Sequence, residues 1–191
     1  MLEKKLLTLA CVLAILGIGA CFLPPPRPPA FPLPPNMVGA RVLAIDVRDA
    51  SPTEPFDGAA LSNFTADQIN QQWSLPQLRV VPEGDPASAD ATLHITIVSR
   101  QAICGRPAKH GCLWNLTLAA RMELVARDGQ RIWLRDEPPT TFTLWRITKA
   151  TPFSWQEYGV RNAVASNLAL RAGNAIHNPN SPNTPRNADD R

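Results

Sequence analysis

Two cysteines bracket the segment "CGRPAKHGC", Cys104 to Cys112, with His110 between them. Two thiolates and an imidazole are three metal ligands, but a structural zinc takes four and no fourth candidate lies nearby. The same cysteines can instead close a disulfide across the base of a hairpin loop joining two long strands, worth about 2.5 kcal/mol on chain entropy. The disulfide is the favoured reading. Arg106 and Lys109 sit inside that ring and Arg100 just below it. A rigid basic tip of this kind can hold phosphates through charge-assisted hydrogen bonds. The same charges also suit a plain solvated loop.

Little else in the sequence has the spacing of a reaction centre. Of the three histidines, His94 falls on the polar side of a predicted strand, His110 in a loop and His177 at a helix end. No serine or cysteine occupies a nucleophile-like turn, and no glycine-rich loop follows a strand to cradle phosphate. Asp46 and Asp49 are neighbours, yet strand alternation sends them to opposite faces. The expectation is a protein without catalytic residues, cofactor or metal. Net charge is only +3, with no basic helix and no basic-aromatic interleaving, so nucleic acid is not an expected partner. Trp114 reads as core, whereas Trp133 is opposite in phase to Ile132 and Leu134 and is expected on the other sheet face, suited to contact with a partner.

One more cysteine has a distinctive setting. Lys4 and Lys5 precede an uncharged run from Leu6 to Ala20, too short for a membrane-spanning helix. A charged start, a short apolar run and small residues are the parts of an export signal. The segment Ile18-Gly19-Ala20-Cys21 resembles a bacterial lipobox, in which the chain is cut before the cysteine and the thiol carries lipid. Cys21 is therefore the expected lipid attachment site, after a signal peptide over residues 1–20; an uncleaved signal anchor is the competing reading. Two or three acyl chains hold a protein stably on a membrane where one does not. Phe22 is not the aspartate associated with inner-membrane retention, which favours the outer membrane.

The elements that must position the hairpin follow from periodicity. Residues 21–36 form the acylated cysteine and a linker, with eight prolines between Pro24 and Pro35. At ~3.1 Å per residue this spacer reaches roughly 35–40 Å. The tail, 179–191, lacks large apolar residues and is expected to be disordered. Between them, 37–178 is long enough for one domain. "RVLAIDVRD" alternates as a first strand, and a helix capped by Asp57 is expected over Ala59 to Trp73. "LRVV" leads into "ATLHITIVS", "LWNLTLAARMELVA" follows, and Asp128-Gly129 turns into "QRIWLRD". A last short strand could lie around Phe142 to Ile147. Ser154 and Glu157 form a capping box, with Phe153 and Tyr158 as its staple, ahead of a stripe from Val160 to Ile176. Gly173 is expected to weaken that helix. The expectation is an α+β two-layer sandwich, β-α-β-β-β-α, with a mainly antiparallel four-stranded sheet and both helices on one face.

The stretches "ARVLAIDV", "LRVVPEGDPASADATLHITI", "LAARMELVARDGQRIWLRD" and the terminal helix together resemble the LptE-like lipopolysaccharide-assembly lipoproteins. The likeness is in order and spacing over roughly Gly39 to Asn178, and the "DPASADATL" run is its most family-like piece. It implies a non-catalytic lipoprotein that sits in the lumen of a large outer-membrane β-barrel, helps it assemble, and assists placement of lipopolysaccharide in the outer leaflet. Arg100, Arg106 and Lys109 match the family's lipopolysaccharide-contacting basic residues in character and rough location. The proline spacer and the paired loop cysteines lie outside the family's pattern. The alternative is an accessory lipoprotein of another envelope complex: a secretion pore, a lipid-transporting ABC system or a cell-wall synthase.

Overall fold

The computed structural model describes residues 37, 39–73, 75, 77–82, 88–108, 111–146 and 153–177. The predicted signal, Cys21, the proline spacer and the tail lie outside the described residues, as do Lys109 and His110.

The elements run β1 (Val42–Asp49), α1 (Gly58–Gln72), β2 (Arg79–Pro82), β3 (Ala91–Ala108), β4 (Gly111–Ala126), β5 (Arg131–Arg146) and α2 (Tyr158–His177). The fold is α+β, as expected, but the sheet has five strands, in the order β2-β1-β3-β4-β5. The fifth is "RVVP": it pairs parallel to β1, with Val42 opposite Arg79 and Ile45 opposite Pro82. A four-residue strand is too short for periodicity to declare it. The sheet is mixed: β1 is also parallel to β3, and the long β3-β4 and β4-β5 pairs are antiparallel. The short strand expected near Phe142 is the far half of β5.

Apolar residues of one sheet face and of both helices merge into a single core. Leu43, Ile45, Leu93, Ile95, Leu116, Leu118, Met122 and Leu124 of the sheet are sealed from solvent together with Leu61 and Ile69 of α1 and Val160, Val164, Leu168 and Ile176 of α2. The helix starts and stops have local causes. Asp57 caps α1 by accepting the N–H groups of Ala59 and Ala60 at 3.0 and 3.2 Å. β2 ends level with Ile45, and beyond it Ser62 of α1 takes the place of a strand, accepting Val47 N–H at 2.8 Å. Helix α2 begins at Tyr158, later than the Ser154 capping box implies. Glu157 provides the first carbonyl, which accepts Arg161 N–H, while Ser154 Oγ donates to Glu54 Oε1 at 2.7 Å. Phe153 stacks on Trp114, with centroids 4.7 Å apart, and Tyr158 meets Phe64 at 5.5 Å.

Pro138 and Pro139 interrupt the β4-β5 ladder, because neither has an N–H to give. The register slips there, Leu118 facing Thr140 but Ala120 facing Glu137. Arg171 of α2 reaches the gap and donates to the carbonyls of Leu118 and Pro138 at 3.2 and 3.1 Å. Its charge lies 3.6 Å from buried Glu137, which Arg135 also meets at 2.9 Å. Burial pulls the Arg171 guanidinium below its ordinary pKa, against the opposing effect of Glu137.

Candidate functional site

The β3-β4 ladder continues past the cysteines to the pair Ala108–Gly111, so the predicted loop is mostly strand. Cys104 and Cys112 are joined, with Cα atoms 5.8 Å apart, and neither thiolate is available to a metal. The bond runs diagonally, because Cys104 lies opposite Trp114 and Cys112 opposite Pro107. Between them Gly105 forms a bulge against Asn115; a Cβ there would come 2.5 Å from the Asn115 amide nitrogen. Arg106 lies opposite Leu113 and is exposed.

Arg100 is placed quite differently from the tip residues. Uninterrupted alternation from Leu93, Ile95 and Ile97 would put it on the open face, but the register shifts at Val98 and turns Arg100 inward, opposite Leu118. Its side chain is 3% exposed and lies 3.2 Å from Asp49, which is fully buried. It donates to Ser51 Oγ at 3.0 Å and to the carbonyls of Thr53 and Glu54 at 2.5 and 2.6 Å. The guanidinium also lies 4.8 Å from the Phe56 ring centroid and 4.7 Å from that of Trp155. Burial lowers its pKa, against Asp49 and Glu54. In this structure Arg100 holds the 51–56 loop and the segment before α2 onto the sheet, and it presents no free phosphate-binding face. Glu54, at φ 50°, is fixed in the left-handed region by these contacts.

The helix-free face of the sheet is lined mainly by polar residues. Asp46 accepts from His94 Nδ1 and from Arg48, each at 2.8 Å. Thr117 and Thr141 hydroxyls are bonded at 2.8 Å, and Arg121 meets Asp136 at 2.7 Å. Towards the hairpin the same face turns apolar: Ile103 and Trp145 are about half exposed, and Leu113, opposite Trp145, lies between them. Trp133 is not on this face. The register shift at Ile132 turns it to the core side, opposite Leu124, and it is Leu134 that is exposed. Trp145 could have been found from the alternation in "TTFTLW", where Phe142 and Leu144 take the core side. No helix among the described residues is long and apolar enough to cross a membrane.

No protein-family model matches the chain, and no characterised protein matches it by sequence. Among solved structures it is similar to the PelC dodecamer protomer from Paraburkholderia phytofirmans, at 14% identity and TM-score 0.41, covering 78% of this chain and 94% of that one. It is similar also to a minor lipoprotein from Acinetobacter baumannii, at 14% identity and TM-score 0.36, over 75% and 98% of the two chains. A third is lipoprotein GNA1162 from Neisseria meningitidis, at 13% identity and TM-score 0.32, over 70% and 97%. At these identities the likeness concerns fold, and no neighbour's role transfers with it.

Proposed function

We propose that this protein is a lipid-anchored, non-catalytic outer-membrane lipoprotein that serves as plug and assembly partner of a β-barrel lipopolysaccharide translocon and assists lipopolysaccharide insertion in the outer leaflet. The supporting observation is the arrangement of the long strands. The described residues begin at Met37, five residues before β1, which pairs with the start of β3 at Ala91; the disulfide-closed tip lies at the other end of β3. Eighteen residues of strand span about 60 Å. A chain tethered through Cys21 therefore carries a basic tip far from its point of entry into the domain. Its hydrogen-bonding, threonine-bearing sheet face suits the water-filled interior of a barrel. Arg106 and Lys109 are the tip residues that would meet lipopolysaccharide phosphates.

Three measurements test this reading. Mass spectrometry of the amino-terminal peptide should find acyl groups on Cys21; a bare peptide ends the anchoring claim. Native pulldown after detergent extraction should recover a large barrel protein. Depletion should lower surface lipopolysaccharide with cell-wall synthesis intact, and the reverse outcome would overturn the assignment.

A further inference from the structure

Sheet edges expose unpaired backbone groups, and proteins guard them by shortness, charge, proline or cover. One edge here, β2, is four residues long and ends in Pro82. The other edge, β5, is 16 residues long. Its first half is guarded by Arg131, Arg135, Asp136 and Glu137, then by Pro138 and Pro139. In its second half the run "TTFTLW", Thr140 to Trp145, has no charge and no proline, and all of it but Leu144 is of types enriched in strands; Arg146 closes the strand. Phe142 and Leu144 are only partly covered on the core side, and Trp145 is 48% exposed on the other.

We infer that this half-strand pairs antiparallel with the same half-strand of a second copy of the chain, continuing the sheet across a two-fold axis. The segment is self-complementary. With the axis at Thr143, Phe142 opposes Leu144 of the second copy and Thr141 opposes its Trp145, so apolar residues meet on the core side and an aromatic covers a threonine on the other. No like charges face one another between Thr141 and Trp145. In the guarded half, antiparallel self-pairing around Leu134 would set the charges of Arg135 and Asp136 against Trp133 and Ile132, and Pro138 and Pro139 would stop such a ladder, so self-association is placed in the far half. The inference concerns the free protein and does not rest on the plug reading.

The full chain, purified from membranes in detergent, is weighed by native mass spectrometry across a dilution series. Two copies are expected, and Thr143→Lys, at an exposed edge position, should weaken self-association at least about tenfold by setting two ammonium groups face to face. Leu134→Lys, on the same strand and face but in the guarded half, should leave it unchanged. Thr143→Cys should give a covalent dimer on a non-reducing gel after mild oxidation. A single-copy mass at every concentration overturns the proposal, as does a dimer that survives Thr143→Lys or one lost equally with Leu134→Lys. Recovery or loss of a barrel partner is a separate readout and bears only on the plug.

Discussion

The Arg100 guanidinium lies 3.2 Å from the Asp49 carboxylate, with both side chains almost wholly removed from water. Neither charge can be left alone at that depth. Asp49 also accepts the N–H groups of Ser51 and Phe56, at 2.9 and 3.0 Å, so the pair organises the whole turn after β1. Arg100→Met should destabilise the fold by about 3–5 kcal/mol, because it strands a buried carboxylate. Replacing both, Arg100→Met with Asp49→Asn, should recover part of that loss. Urea unfolding of the two variants checks the order.

Gly173 and Trp73 form a second dependence between distant parts of the chain. A Cβ on Gly173 would come 2.0 Å from Trp73 Cε2. Alanine gains about 1 kcal/mol in helix propensity over glycine, while overpacking typically costs about 1–3. Gly173→Ala should therefore lower the melting temperature, and a second change, Trp73→Leu, should reduce the penalty of the first. A melting temperature raised by Gly173→Ala alone would contradict the contact.

Reduction of the Cys104–Cys112 bond, or replacement of both cysteines by serine, should cost about 2.5 kcal/mol. The ladder around the bond gives the tip other support, so the oxidised and reduced proteins should share one circular dichroism spectrum. Thiol titration of the exported protein in denaturant should find neither of these cysteines reactive until a reductant is added.

Acid should weaken the junction before β3. Asp90 accepts the N–H groups of Arg41 and Val42 at 2.8 and 3.0 Å, and these bonds hold its pKa below the ordinary value, with Arg127 adding to the effect. A carboxylate with a depressed folded pKa stabilises fully above the unfolded value, about 3.9, and loses that contribution as pH falls through the folded value. Asp90→Asn should flatten the decline in stability below about pH 4 relative to the parent. The slope of stability against pH, from denaturant titrations, is the measurement.

Much of the architecture was legible because it is local. The alternation from Leu116 to Leu124 is sealed on one side along its length, and the stripe from Val160 to Ile176 lies against the sheet. Asp57 caps where its spacing puts it. Helix propensity gives only half the account of Gly173: it is a weak helical residue, but packing needs a position without a side chain beneath the Trp73 ring. The candidate site divides the same way. The disulfide and exposed Arg106 were visible in "CGRPAKHGC", and Trp145 in the alternation of "TTFTLW", but the outward turn of Ile103 and the withdrawal of Arg100 were not.

The sequence by itself determined which residues could form helices and strands, which cysteines could meet, and where the charged starts and proline breaks fall. Those follow from side-chain periodicity and backbone chemistry over a few neighbouring residues. Tertiary structure alone decided which face each residue beyond Val98 and Ile132 occupies, since one extra residue in a ladder exchanges the faces of everything after it. It also decided that Arg100 and Arg171 are internal. Those choices depend on carbonyls and carboxylates brought close from distant parts of the chain, and on desolvation that no short window of sequence contains.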